Sequence, residues 1–326
     1  MSHYGFFPGC SLERNAAAYT DSIRAVATTL GMDLEEIDDW NCCGATEYIA
    51  LNKLAAYALV GRTLALAEQQ LHANGHPNGH PQQLLAPCSA CYLNLRKADR
   101  MMQDDRDLRE ATNQALAAGG LHYDAGSIHV RHLIDVLVRD VGLDNVAAHV
   151  TRPLTGLSVA PYYGCLLSRP HYKDELDKAE YPTELDDLLQ HLGAEVPDFP
   201  AKTWCCGGHM TQISTDVAYE LLRQILQAAV DSGADVVATA CPMCQLNLDA
   251  YQTKVNRHFG THFKLPIVYF TQLIALAFGA EAKAIGFGRE VISAQPALDR
   301  IGTPIEAAAP VRHRKEELPM PQPLAR

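Results

Sequence analysis

Ten cysteines carry the chemistry open to this sequence, and they fall into two groups of the same form. Cys10 is followed by the adjacent pair Cys42-Cys43 and then by Cys88 and Cys91. Cys165 is followed by Cys205-Cys206 and then by Cys241 and Cys244. Each group is a single cysteine, an adjacent pair and a C-x-x-C, with gaps of 31 and 44 residues in the first half and 39 and 34 in the second. The flanking residues repeat too. Phe7-Pro8-Gly9-Cys10 answers Tyr163-Gly164-Cys165, Trp40-Asn41-Cys42-Cys43-Gly44 answers Trp204-Cys205-Cys206-Gly207, and a Leu-Asn-Leu follows each C-x-x-C. No cysteine is left over. A repeat of this length marks a duplicated domain rather than a solenoid unit.

Clustered thiolates bind metal, react in redox steps or pair as disulfides. Adjacent cysteines bond to each other only under strain, and a chain without an export signal belongs in a reducing compartment. Structural zinc takes four ligands in a tetrahedron, so five thiols per site are one too many. A cubane [4Fe–4S] cluster also uses four. Two neighbouring cysteines do not readily converge on one corner of a cube, but they can serve or bridge two irons. Five ligands therefore favour an opened cluster, whose iron of changeable coordination could accept a substrate sulfur. The expectation is an opened iron–sulfur cluster in each half, with zinc in at least one half and disulfide pairing as the rivals.

Alternating apolar runs supply the elements that hold these residues. Short strands are expected at residues 4–7, 33–37 and 84–86, and helices at 15–30 and 47–72. The second half repeats the order, with extended segments at 157–160, 195–199, 236–238 and 266–270 and helices at 182–192 and 217–230. Strands alternating with helices imply an α/β fold: two duplicated domains, each a parallel sheet with flanking helices. Every cysteine group follows a predicted strand, so each set of five gathers at the carboxyl edge of its sheet, where open α/β sheets bind ligands. Domain boundaries of 1–150 and 151–302 follow, with 303–326 as a Pro-rich, disordered tail. Glycines 9, 44, 164, 207 and 208 beside the cysteines serve tight turns and close backbone approach.

The remaining composition narrows the function. With 48% apolar and 20% charged residues the 326-residue chain is globular, and its charge of −11 excludes a nucleic-acid surface. The apolar stretch at 267–287 is interrupted by Gln272, Glu281 and Lys283 and is expected to be a strand and core helix, with no membrane span. No signal peptide opens the chain, which points to the cytoplasm. The loop at 72–80, rich in His, Gly and Pro, has no spacing that would aim its imidazoles at a metal. His209, three residues past Cys206, is a candidate proton donor or substrate contact because histidine titrates near neutrality, beside its plain reading as a satisfied loop residue. Arg169 and His171 could meet an anionic substrate or simply be solvated.

At these motifs the sequence resembles the B subunit of heterodisulfide reductase, a family built on cysteine-rich (CCG) repeats. The likeness runs from residue 4 to about residue 278 and departs from the family mainly in the longer second gap of the first half. The resemblance implies two five-cysteine non-cubane [4Fe–4S] clusters facing each other across a pseudo-twofold between the halves. Cys10, Cys42, Cys43, Cys88 and Cys91 would hold one, and Cys165, Cys205, Cys206, Cys241 and Cys244 the other. A disulfide between them would be cleaved, or formed from thiols in the reverse direction. The resemblance also implies two partners: a ferredoxin-like protein carrying cubane [4Fe–4S] clusters, and a flavoprotein. The same repeats occur in electron-transfer subunits of lactate, glycolate, glycerol-3-phosphate and succinate oxidoreductases, which would make the chain a conductor rather than a catalyst. Several of those carry a ferredoxin motif in the same chain, and none is present here.

Overall fold

The computed structural model describes residues 2–45, 48–73, 82–170 and 178–302. The first half opens with β1 (His3–Phe6), α1 (Ala17–Leu30) and β2 (Asp33–Glu36). The helix expected over 47–72 is two helices, α2 (Tyr48–Leu51) and α3 (Lys53–Ala73). Asn52 interrupts them, its Oδ1 accepting from the Ala55 N–H at 3.0 Å, a local bond by which asparagine competes with helix propagation. β3 (Gln82–Leu85), α4 (Ser89–Asp104), α5 (Arg106–Ala117) and β4 (Ile128–Arg131) follow. Then come α6 (Leu133–Asp135), a π-helical stretch (Val136–Gly142) and α7 (Leu143–Ala148). β4 was not among the expected strands; its His and Arg blur the apolar alternation.

The second half runs β5 (Val159–Tyr162), α8 (Cys165–Ser168), α9 (Glu184–His191), α10 (Met210–Ile213) and α11 (Thr215–Asp231). It continues with β6 (Val236–Thr239), α12 (Pro242–Ala250), α13 (Gln252–Phe259), β7 (Ile267–Tyr269), α14 (Phe270–Ala277) and α15 (Gln295–Leu298). The extended segment expected at 195–199 is reduced to one parallel bridge between Ser158 and Glu195. Pro197 and Pro200 have no N–H to continue a ladder.

Both sheets are parallel. The first has the order β2-β1-β3-β4 and the second β5-β6-β7, with the Glu195 bridge beside β5 where β2 lies beside β1. The duplicated topology puts the two repeats on one plan, each with helices on its sheet. β6, the central strand of the second sheet, is buried at every residue, as a parallel strand covered on both faces must be, and β5 is buried throughout as well. β2 (Asp-Leu-Glu-Glu) is an edge strand, and its charges suit that place.

The halves share a core. α1 presents Tyr19, Ser22, Ile23, Val26 and Ala27 as its buried face, and α14 is buried along its whole length. These two helices pack together, one from each half, and a single apolar cluster takes in residues from Tyr4 to Leu298. The apolar stretch at 267–287 is thus a buried strand and the helix between the halves. Among the described residues no helix is long and apolar enough to cross a membrane.

Candidate metal centres

Cys10, Cys88, Cys165 and Cys241 each lie just past the carboxyl end of a strand, because the chain leaves β1, β3, β5 and β6 in tight turns before its next helix, whereas the Cys205-Cys206 pair follows only the Glu195 bridge. Cys88 and Cys241 occupy N-cap positions of α4 and α12, which places Cys91 and Cys244 in the first turn of each helix. Gly9 and Gly164 make the first turn of each half at φ 73° and 70°. A Cβ on Gly9 would come within 2.8 Å of Cys91 Sγ, and one on Gly164 within 3.3 Å of Cys244 Sγ. Both glycines let the backbone approach a sulfur of their own set, a fit that a side chain would fill.

All ten thiols are free, and they lie in contact. Cys10 Sγ is 3.8 Å from Cys42 Sγ, Cys43 Sγ is 3.4 Å from Cys91 Sγ, and Cys206 Sγ is 3.3 Å from Cys244 Sγ. These separations are far beyond the ~2.05 Å of a disulfide. Further thiol hydrogen bonds link Cys42 to Cys43, Cys91 to Cys88, Cys165 to Cys205 and Cys241 to Cys244. Cys88 and Cys241 also bond to each other, one from each half. Eight of the ten sulfurs therefore form one unbroken series, from Cys10 through the Cys88–Cys241 contact to Cys206.

The crowding sets the ionisation. Hydrogen bonds from Cys42 and Cys91 hold the Cys43 thiol well below its ordinary range, and a bond from Cys165 lowers Cys205 to about 6. Their partners keep their protons: a bond to Cys43 raises Cys91 and burial adds to it, and a bond to Cys205 raises Cys165. Cys241 accepts a bond from Cys244, yet its bond to Cys88 and its burial push it up to about 12. Five thiols so close cannot all ionise without compensating positive charge, which is what bound metal supplies.

The second set bounds a cavity of about 200 Å³, lined by Cys165, Cys205, Cys206, Cys241 and Cys244, with Gly207, Gly208 and His209 at its side. A water molecule takes only ~30 Å³, so the space suits a multi-atom inorganic core. Among the described residues no three Cys, His, Asp or Glu side chains converge to hold a single metal ion. The five sulfurs of the second set line this one volume. This donor set fits an iron–sulfur cluster, which would be held by the five cysteines of each half.

The other sequence candidates separate. His209 lies at the cavity and also lines a second cleft of about 180 Å³ between the halves, which Ser11, Asn15 and Ala16 close from the first half. Arg169 follows α8 and is exposed. His171, residues 74–81 of the His-rich loop and the 303–326 tail lie outside the described residues.

Several supporting residues were not anticipated. Asn94 Nδ2 donates to the Cys43 carbonyl at 3.1 Å, and Asn247 Nδ2 to the Cys206 carbonyl at 3.3 Å. The repeated Leu-Asn-Leu was the available signal. Tyr19, fully buried, donates from its hydroxyl to the Pro87 carbonyl at 2.8 Å and lies 3.4 Å from the Ala240 carbonyl. It thereby ties together the residues that precede Cys88 and Cys241. Behind the second set, buried Lys202 pairs with Asp186 at 2.7 Å, and its carbonyl accepts from the Tyr163 and Gly164 N–H groups.

Comparison with known proteins agrees with this arrangement. The cysteine-rich domain (CCG) family model matches residues 4–96 and 159–249, one match in each half. The chain is 34% identical to the 8-methylmenaquinol:fumarate reductase membrane anchor subunit of Wolinella succinogenes, over 90% of this chain and 98% of that one. It is 28% identical to the B subunit of the ferredoxin/F(420)H(2)-dependent CoB-CoM heterodisulfide reductase of Methanosarcina acetivorans, over 90% and 94%. An Archaeoglobus profundus protein described as similar to the B subunit of heterodisulfide reductase matches at 27%, over 87% and 93%. Among solved structures, a hypothetical protein from Helicobacter pylori shares the fold with a TM-score of 0.70 at 14% identity. That match covers 90% of this chain, which spans about half (52%) of that structure's chain.

Proposed function

Because this chain belongs to the CCG cysteine-rich domain family, with homologues named for the B subunit of heterodisulfide reductase, we propose that it is the iron–sulfur component of a multi-subunit oxidoreductase and handles disulfide or thiol substrates. Cys10, Cys42, Cys43, Cys88 and Cys91 hold one [4Fe–4S] cluster, and Cys165, Cys205, Cys206, Cys241 and Cys244 hold the other. Bound there, the clusters supply one-electron steps that together match the two electrons of a sulfur–sulfur bond. The observation that carries this reading is the Cys88–Cys241 contact, which makes the two donor sets neighbours. Electrons can then be shared between halves without an intermediary.

This chain's own residues do the rest. The cleft between the halves admits a molecule beside both Ser11, next to Cys10, and His209, next to the second set. His209 can give or take the proton that thiolate chemistry requires. The glycine turns exclude side chains from the sulfurs, and buried Tyr19 keeps the two cysteine turns in register. The partners that fit are a flavoprotein and a ferredoxin-like protein, with the chain at work in the cytoplasm.

A second reading rests on the 34% identity to the Wolinella fumarate reductase component. In it the chain conducts electrons for a succinate- or fumarate-type enzyme and does no substrate chemistry. Anaerobic iron and sulfide analysis with low-temperature electron paramagnetic resonance tests the shared part: about eight irons per chain are expected from two [4Fe–4S] clusters. A pale, iron-poor protein after reconstitution would sink both readings. Adding small thiols to the oxidised protein separates them, since only sulfur chemistry perturbs the cluster signal.

A further inference from the structure

Asn94 and Asn247 hold matching places in the repeat, each three residues after the last cysteine of its C-x-x-C. On a helix that spacing returns the side chain to the face of the cysteine. Both sit inside helices, where asparagine is a weak former, and each is flanked by two leucines. What the carboxamide adds is a pair of uncharged N–H donors.

The donors meet the second cysteine of the adjacent pair in both halves, and in the second half they also serve the Gly208 carbonyl. Asn94 Nδ2 reaches the Cys43 carbonyl at 3.1 Å and Cys43 Sγ at 3.9 Å. Asn247 Nδ2 reaches the Cys206 carbonyl at 3.3 Å, Cys206 Sγ at 3.7 Å and the Gly208 carbonyl at 2.8 Å. Cys43 and Cys206 are each the second cysteine of an adjacent pair, and they are only 3% and 4% exposed. Their preceding partners, Cys42 and Cys205, are exposed to solvent. Water can solvate the outer sulfur of each pair, beside the Gly207 N–H that reaches Cys205 Sγ at 3.4 Å, while the buried inner one depends on protein donors alone.

We infer that Asn94 and Asn247 are positioning residues that fix the inner cysteine of each adjacent pair and, by N–H donation toward its sulfur, set the reduction potential of the cluster it binds. The inference rests on the cluster reading above. Reduction adds negative charge that spreads onto the cysteine sulfurs, so a donor aimed at them favours the reduced state. Removing the donor moves the potential in the negative direction. Because each asparagine serves one half, each substitution moves one cluster and spares the other. Asn247 has the further bond to Gly208 and holds the turn that carries His209.

The test uses the full chain, reconstituted anaerobically, as wild type, Asn94→Leu and Asn247→Leu. Leucine keeps the approximate size and removes both donors. Iron and sulfide are quantified, folding is checked by circular dichroism, and potentials are read from redox titrations followed by electron paramagnetic resonance. The expected result is near wild-type iron with one signal shifted to more negative potential in each variant, a different signal in the two. Asn247→Ser, which keeps a donor on a shorter arm, should shift less and stands in if the leucine variant does not fold. Iron-loaded variants whose potentials equal wild type overturn this assignment alone. A wild-type chain that binds no iron overturns the cluster reading and this assignment together.

Discussion

Tyr19 of the first half stacks face to face on Tyr269 of the second, with ring centroids 4.3 Å apart and planes 2° from parallel. The stack sits where α1 meets the end of β7, and the Tyr19 hydroxyl continues from it to the carbonyls of Pro87 and Ala240. Burial, then the neighbouring Cys88, Tyr269 and Cys241, keep that phenol protonated. Two aromatic rings thus fasten the halves beside the Cys88–Cys241 contact.

Tyr19→Phe keeps the stack and removes the hydroxyl bond to the Pro87 carbonyl, which His132 also faces. Losing one buried hydrogen bond costs about 0.5–1.5 kcal/mol, so urea unfolding should show a loss of that size. The same variant should loosen the Cys88–Cys241 contact, seen as weaker magnetic coupling between the two clusters. Unchanged stability would mean that the hydroxyl is not holding the turn.

Gly9→Ala places a methyl 2.8 Å from Cys91 Sγ at a backbone φ of 73°. The left-handed conformation alone costs roughly 1–2 kcal/mol for a residue with a Cβ, and the sulfur must also move. Iron content should fall to about half while the second cluster's signal persists. Gly164→Ala, with 3.3 Å of room, should lose less metal, and from the other half. Full metal content in Gly9→Ala would show that the close approach is unimportant.

Lys202 is 1% exposed, held by Asp186 at 2.7 Å and over the Tyr181 ring at 3.9 Å. Lys202→Met leaves the Asp186 carboxylate with the Tyr163 hydroxyl and no cation. Breaking a buried pair in this way costs about 3–5 kcal/mol. The double variant with Asp186→Asn should regain part of it. Calorimetry or denaturant titration of the three proteins decides; a single variant as stable as wild type would deny the pair its role.

Cys43→Ala and Cys206→Ala each remove a donor from one set only. Metal analysis should show about half the iron in each, and the two variants should lose different signals. Loss of both clusters from either single change would mean that the ten sulfurs bind one shared assembly.

Much of this molecule was legible in the chain. The cysteine pattern, its duplication and the placement of Cys10, Cys88, Cys165 and Cys241 after strands follow from local order, because a short apolar strand and the turn after it are written in consecutive residues. The helix break at Asn52 and the missing strand at 195–199 were not foreseen, although each has a local cause, one side-chain cap and two prolines.

Tertiary structure alone decided how the halves meet. Ser22 and Thr271 share a hydrogen bond at 2.6 Å across 249 positions, and Cys88 touches Cys241 through the same seam. Periodicity reports which face of an element is buried, but not which distant element covers it. The asparagines show the same division: their repetition was visible in the chain, while the inner cysteines they serve came within reach only once the helices after β3 and β6 had packed.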